Sequence, residues 1–229
     1  MKTIGLIGGM SWESTSEYYR IINTTIGKRL GGFHSAKCIL YSVDFHEIER
    51  CQSNGEWSTI AHTLSQAAIC LEKAGADFVL LCSNTIHKVA DEIQSCLSVP
   101  IVHIADVTAD EIIKSSFTKV GLLGTRFTME EDFYIDRLIH KGLQVVIPEF
   151  ADRKIVDSII FDELCLGIIR PESKRKYLEV INELKTKGAQ AVILGCTEIG
   201  LLVNQNDTSV PLFDTSYIHA YQAAMLALA

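Results

Sequence analysis

The stretch Ile4-Gly5-Leu6-Ile7-Gly8 returns 116 residues later as Val120-Gly121-Leu122-Leu123-Gly124, and this repetition decides the fold. Two more stretches return in the same order, at offsets of 113 and 111 residues: 75–81 at 188–194, and Val99-Pro100-Ile101 at Val210-Pro211-Leu212. All three offsets lie close to half of the 229 residues. Matches that occur in the same order at nearly the same spacing indicate an internal repeat, so we predict one α/β unit that is written twice.

Short apolar, β-branched runs alternate with longer amphipathic runs along the whole chain. We predict strands at 3–8, 38–43, 77–82, 101–104, 119–123, 144–147, 191–194 and 212–213. We predict helices at 14–30, 58–74, 85–96, 105–115, 130–141, 153–168, 172–187 and 216–228, the first of them from the capping-box spacing of Ser14 and Glu17. Near-continuous apolar strands between helices are typical of parallel sheets with both faces covered.

The predicted fold is therefore α/β, with two pseudo-symmetric lobes that each hold a mostly parallel sheet flanked by helices. The first lobe is expected at 1–98, with 209–229 packing back on it, and the second at 99–208. Two such lobes would face each other across a cleft. Ligands of open α/β sheets bind beyond the carboxyl ends of the strands, which predicts an active site in that cleft.

Composition narrows the class of protein. The net charge is −7, from 21 basic and 28 acidic residues, which disfavours nucleic acid or an anionic membrane surface as a partner. No apolar run reaches the ~18 residues of a membrane span, and the first residues do not resemble a signal peptide. Seven cysteines without a Cys-x-x-Cys pair argue against a disulfide framework. We expect a cytoplasmic enzyme or binding protein.

The second repeat, continued without a gap, aligns two strand-to-helix corners: the first corner is residues 83–85 and the second corner is residues 196–198. It sets Ser83 against Cys196, Asn84 against Thr197 and Thr85 against Glu198. Backbone N–H groups at a helix start suit a carboxylate, and they would lower the pKa of the Cys196 thiol below its usual ~8.5. Taken alone, Cys196 reads as a small buried hydrophobe and Ser83 as a helix cap. Cys82 is expected to point away from Ser83, into the core.

The glycine-rich residues 5–11 lack both the Gly-x-Gly-x-x-Gly spacing and a P-loop lysine, so a loop close to a small ligand is favoured over a nucleotide site. Its counterpart at Gly124-Thr125 would line the same cleft. Arg50 and Gln52 read as exposed surface, or as groups that receive an acidic substrate. His87 and His103 read as structural, because no spacing of potential ligands predicts a metal site.

Four segments together resemble the aspartate/glutamate racemase family: residues 4–11, 84–87, 121–125 and 195–198. The resemblance spans nearly the whole chain. It implies a pseudo-symmetric two-lobe fold that is often homodimeric, with an amino-acid substrate between the lobes and no pyridoxal phosphate or other cofactor. It also implies two cysteines, one of which deprotonates Cα while the other reprotonates the opposite face.

The chain departs from this family pattern at two positions. Ser83 stands where the family has its first cysteine, which is similar to a subgroup with a hydroxyl residue there. Cys165 stands where some aspartate racemases carry a substrate-binding lysine.

We therefore predict cofactor-independent racemisation of an amino acid, aspartate or glutamate, with Cys196 and Ser83 as the catalytic residues. The predicted substrate-binding residues are Met10, Arg50, Gln52, Asn84, Thr85, Thr125, Thr197 and Glu198. Two alternatives remain at this point. One is a decarboxylase or isomerase with a single cysteine, and the other is an amino-acid-binding protein that has lost turnover.

Overall fold

The computed structural model describes residues 1–229, which form two compact units. The first comprises residues 1–104 and 219–229, and the second comprises residues 105–218. The unit boundaries therefore fall after residues 104 and 218, whereas the predicted lobe boundaries fall after residues 98 and 208. Residues 209–218 lie in the second unit, whose sheet includes the strand Leu212–Asp214.

The first unit holds a parallel sheet of order β2-β1-β3. Its strands are β1 (Ile4–Gly8), β2 (Cys38–Ser42) and β3 (Phe78–Leu81). Its helices are α1 (Trp12–Leu30), α2 (Phe45–Asn54), α3 (Trp57–Lys73) and α4 (Ala90–Gln94), the last preceded by a 3₁₀ helix at Thr85–Val89. Successive side chains of a strand alternate between faces. Ile4 and Leu6 thus join one apolar cluster, and Ile7 joins another.

The second unit repeats this order as β5-β4-β6-β7, again all parallel. Its strands are β4 (Lys119–Gly124), β5 (Gln144–Val146), β6 (Ala191–Gly195) and β7 (Leu212–Asp214). The remaining helices are α5 (Ile104–Lys114), α6 (Arg126–Glu130), α7 (Asp132–His140), α8 (Phe150–Asp162), α9 (Pro171–Thr186), α10 (Ile199–Leu202) and α11 (Thr215–Leu228). Two parallel sheets flanked by helices confirm the predicted α/β class.

The strand register carries the same repeat as the sequence. Gly5 lies opposite Val79 in the first sheet, and Gly121 lies opposite Val192 in the second. These are the pairs that the offsets of 116 and 113 residues predict. A Cβ atom on Gly5 would lie 3.3 Å from the Val79 side chain, and one on Gly121 would lie 3.1 Å from that of Val192. Each glycine thus leaves room for the neighbouring strand.

The predicted strand at 101–104 is wrong beyond its first residue. Ile101 forms a single parallel bridge to Val79, at the place that β7 occupies in the second sheet. The chain then enters helix α5 at Ile104, whose backbone N–H donates to Nε2 of His87 at 3.2 Å. The Ile104 N–H therefore bonds to the His87 side chain, whereas a longer strand would need this donor for its hydrogen bonds to β3.

Other helix predictions need correction as well. Helix α1 begins at Trp12 instead of Ser14, because Ser11 is its N-cap and accepts a hydrogen bond from the Ser14 backbone N–H. The predicted helix at 85–96 is divided into the 3₁₀ helix and α4. The helix predicted at 153–168 is divided into α8, which ends at Asp162, and a 3₁₀ helix at Leu164–Leu166. Helix α2 was not predicted; its N-cap is Asp44, whose carboxylate accepts from the His46 backbone N–H at 3.0 Å. Across the chain, no helix has the length and apolar character to span a membrane.

Candidate active site

Two paired glycines lie at the ends of β4 and β6, directly before the second corner. Gly124 and Gly195 lie opposite each other at the carboxyl ends of β4 and β6. A Cβ atom on Gly124 would lie 2.8 Å from the Gly195 carbonyl oxygen, and one on Gly195 would lie 2.7 Å from the Leu123 carbonyl oxygen. Any side chain there would force the strands apart. Cys196 follows directly, just past the end of β6.

The Cys196 thiol is held by a carboxylate. Its Sγ donates to Oε2 of Glu198 at 2.8 Å, and the Thr197 hydroxyl donates to the same oxygen at 3.0 Å. Cys196 is only 8% exposed and Glu198 only 2%. Burial first, and the Glu198 charge second, raise the pKa of the Cys196 thiol well above its usual range. The side chain therefore rests as a protonated thiol that donates to Glu198.

This result contradicts the expectation of a lowered Cys196 pKa. Helix α10 spans only Ile199–Leu202, so it supplies little of the dipole that was expected to stabilise a thiolate. The neighbouring charge is negative, and a carboxylate beside a thiol disfavours the thiolate. The Cys165 thiol, half-buried against the same apolar cluster, raises the pKa of Cys196 in the same direction.

The first corner has a different partner. Ser83 is 9% exposed, and its carbonyl oxygen lies 2.7 Å from Nδ1 of His87. The other ring nitrogen, Nε2, accepts from the Ile104 backbone N–H. A nitrogen that accepts a hydrogen bond carries no proton, so the neutral His87 ring has its proton on Nδ1 and donates it to Ser83.

The other residues of the first corner are buried. Asn84 and Thr85 are 2% and 5% exposed. Cys82 lies in the apolar cluster on the other side of the strand, as predicted, and burial raises its pKa far above the usual range. Cys82 therefore belongs to the core.

The remaining predicted substrate-binding residues lie on separate elements. Met10 is buried in the apolar cluster that includes Ile7. Arg50 and Gln52 lie on helix α2; Arg50 is exposed and Gln52 is buried. Thr125 is the N-cap of α6, and its hydroxyl oxygen accepts from the Thr128 backbone N–H at 3.3 Å.

Sequence reasoning missed two contacts at the corners. Glu198 was assigned to the substrate, but its carboxylate holds the Cys196 thiol, and His87 was not linked to Ser83. Both contacts could have been predicted, because an ionisable residue follows each corner closely: Glu198 is two residues after Cys196, and His87 is four residues after Ser83. No group of three or more His, Cys, Asp and Glu residues is arranged to hold a metal ion.

A sequence profile of the Asp/Glu/hydantoin racemases matches residues 7–223, which is most of the chain and includes both corners. The chain belongs to this racemase family. It is therefore an enzyme of the isomerase class, and the predicted family resemblance is confirmed.

Named relatives agree with this placement of the racemase. A crystal structure from Yersinia pestis, of a protein described as a candidate Asp/Glu racemase, is 56% identical, with a TM-score of 0.92 over the full length of both chains. An aspartate racemase homologue from Pyrococcus horikoshii is 38% identical, with a TM-score of 0.85 over both full chains. A broad specificity amino-acid racemase of Bacillus subtilis is 25% identical over 93% of this chain and 92% of its own.

Proposed function

We propose that the enzyme racemises aspartate or glutamate without a cofactor, by removing the Cα proton from one face and returning a proton to the other. The observation that carries the proposal is the Cys196 thiol, buried and hydrogen-bonded to Glu198 at the carboxyl end of a parallel strand. This is where open α/β sheets bind ligands. A proton donor paired with a proton acceptor is what Cα–H chemistry requires.

In the proposed reaction, Cys196 works with Glu198 on one face of the substrate. As an acid, the resting thiol gives its proton to the planar carbanion and becomes a thiolate. As a base, the thiol first transfers its proton to Glu198, and the resulting thiolate then takes the Cα proton. After the acid step this corner is one proton short, and after the base step Glu198 holds one extra proton. The opposite face takes up or gives up the matching proton, and exchange with solvent restores the resting state. The raised pKa of Cys196 favours this return to the protonated thiol.

Ser83 is proposed to serve the opposite face, directly or through a bound water. A hydroxyl is a poorer base than a thiol, so the two faces are chemically unequal. The buried polar side chains beside the two corners, Asn84, Thr85 and Thr197, are proposed to bind the substrate carboxylate and the charge that develops during the reaction. Thr125, Met10 and Gln52 complete the proposed substrate environment.

An acidic substrate is supported by one cation and by the relatives. Arg50 exposes its charge on helix α2, two residues before buried Gln52, and we propose that it meets the distal carboxylate. Two of the similar proteins carry Asp/Glu or aspartate in their descriptions. A broad substrate range is the second candidate, because the Bacillus subtilis relative is named for broad specificity.

Incubation with single enantiomers of aspartate, glutamate and the other common amino acids in D₂O tests the proposal. We expect deuterium to enter Cα and optical rotation to decay for an acidic amino acid. The Cys196→Ala variant should lose at least a thousandfold, since its reacting proton is gone; a cooperative unfolding transition like that of the wild type is the matched control. Exchange at the wild-type rate in that variant would place the base elsewhere.

The same experiment separates the other classes of function. Release of CO₂ with a single retained enantiomer would identify a decarboxylase with one proton donor. Binding without deuterium entry would identify an amino-acid-binding protein. Activity that EDTA removes and a divalent ion restores would contradict direct thiol chemistry.

We also propose a cytoplasmic homodimer. All seven cysteines carry free thiols, which supports a reducing compartment. The edge strand β2 exposes Leu40 and Tyr41, which supports pairing with a second copy. A sedimentation mass equal to one chain would contradict the dimer.

A further inference from the structure

We infer that His87 is a positioning residue for Ser83, which makes the first catalytic face depend on a buried imidazole. The inference rests on the proposed function, in which Ser83 serves that face. His87 itself is 3% exposed, and its contact with Ser83 is made through the backbone carbonyl.

Two hydrogen bonds hold the His87 ring in one orientation. Nδ1 donates to the Ser83 carbonyl oxygen at 2.7 Å, and Nε2 accepts from the Ile104 N–H at 3.2 Å. The ring thereby links the loop after β3 to the first residue of helix α5, which is 21 residues further along the chain than Ser83. Because the peptide unit is planar, the direction of this carbonyl fixes rotation about the Cα–C bond of Ser83. Together with the strand that precedes Ser83, this fixes the direction of its Cα–Cβ bond, from which the hydroxyl is presented.

Neighbouring rings hold His87 in place. The His103 ring lies 4.4 Å from it and the His219 ring 5.9 Å, centroid to centroid, and both rings are buried. His219 makes its own hydrogen bonds, with the Tyr18 hydroxyl at 2.9 Å and the Val102 carbonyl at 2.8 Å. His87 therefore cannot turn away from Ser83 without disturbing a packed cluster.

The second corner shows that this arrangement is particular to the first. The repeat offset of 113 residues aligns His87 with Gly200, and the offset of 111 aligns His103 with Asp214. A Cβ atom on Gly200 would lie 2.3 Å from the Asp214 carboxylate, so a side chain there would have to displace that carboxylate. A backbone group holds the Cys196 carbonyl instead: the Ile199 N–H donates to it at 3.1 Å.

Two substitutions divide the functions of the imidazole. His87→Asn places an amide N–H as far from Cβ as Nδ1, so it retains the donor to the Ser83 carbonyl. His87→Gln reaches the position of Nε2, so it retains an acceptor for the Ile104 N–H and loses the donor to Ser83. A purely structural role would show no preference for the first variant in catalysis.

The test is the ratio of Cα–H exchange rates for the two enantiomers in D₂O. Ser83→Ala first assigns the faces, since the enantiomer whose exchange survives is the one served by Cys196. We expect His87→Gln to slow the other enantiomer about three- to tenfold and to leave the Cys196-served one within about twofold. His87→Asn should recover most of the loss. The ratio does not depend on the folded fraction, because both rates come from one sample.

A comparison comes from the same cluster. His219→Gln alters a buried ring that packs on His87 and makes no hydrogen bond to Ser83, so it should change the ratio less than His87→Gln does. Equal slowing of both enantiomers by His87→Gln, or equal ratios in the Asn and Gln variants, would overturn the inference while the proposed function stands. If the wild type exchanges neither enantiomer of any amino acid, the proposed function itself fails and takes this inference with it.

Discussion

The two corners share one backbone plan and differ in the chemistry beside them. At the second corner, Cys196 donates to the carboxylate of Glu198, and the Ile199 N–H holds its carbonyl. At the first corner, an imidazole of His87 holds the carbonyl of Ser83. The repeat thus preserves the position of each proposed reacting group, whereas the ionisable partner is an acid in one unit and a histidine in the other.

The difference indicates a division of labour. A thiol beside a carboxylate has a place to send its proton and a place to recover it. At the first corner, the neutral imidazole of His87 fixes the backbone of Ser83. That hydrogen bond goes to the carbonyl and does not give the hydroxyl a proton acceptor. We expect the second corner to supply most of the acid–base chemistry and the first to depend more on positioning.

The largest expected effect concerns stability and comes from His219, a buried histidine of the first unit. Burial lowers the pKa of His219 to about 4, from an ordinary value of 6.5. The unfolded chain therefore binds a proton at His219 between pH 6.5 and 4 while the folded protein does not. Stability is fully present above pH 6.5 and falls as the pH drops through this window, by about 3 kcal/mol from this one group.

Urea unfolding of the wild type and His219→Gln at pH 7 and pH 4 measures this contribution. The variant should lose less free energy of unfolding between the two pH values, whatever its stability at pH 7. The other titrating groups are common to both proteins and cancel in the comparison. An identical pH dependence would show that His219 takes up its proton at the same pH in the folded and unfolded states, which would contradict the lowered pKa.

A middle-sized effect is expected at Ser83, where the two corners can be made alike. Ser83→Cys replaces the poorer proton-transfer group with a thiol, and we expect the slower of the two enantiomer exchange rates to rise about tenfold, which corresponds to ~1.4 kcal/mol of barrier. Initial rates of Cα–H exchange measure it, with Ser83→Ala as the control that should slow the same enantiomer. If neither variant changes that rate, Ser83 has no part in the reaction, and Cys82 becomes the residue to test.

The smallest change is expected in the pKa of Cys196 when the charge beside it is removed. In Glu198→Gln, the thiol pKa should fall relative to the wild type, because the negative charge that opposes the thiolate is gone. The fall is partial, since burial is the larger cause and remains. The pH dependence of thiolate absorbance at Cys196 measures it, as the difference from the Cys196→Ala background. A midpoint that rises in Glu198→Gln would contradict the assigned charge effect.

Sequence patterns predicted the repeat, the parallel sheets and the two corners because these are encoded locally. Apolar runs of strand length and glycines at matched spacing are visible without coordinates, and the register of Gly5 and Gly121 confirmed them. Helix α2 escaped prediction, and with it the placement of Arg50 and Gln52 on a helix. The strand expected at 101–104 is reduced to one bridge at Ile101, and the Ile104 N–H binds His87, 17 residues earlier, instead of a neighbouring strand.

The sequence by itself determined that one α/β unit occurs twice, and that Ser83 and Cys196 occupy equivalent corners. Only the tertiary structure decided their chemistry. The direction of the Cys196 pKa depends on burial and on a carboxylate 2.8 Å from the sulfur, and the setting of Ser83 depends on a ring held by a residue from another element. Electrostatic and hydrogen-bond energies depend on distance and solvent access, which a linear pattern does not specify.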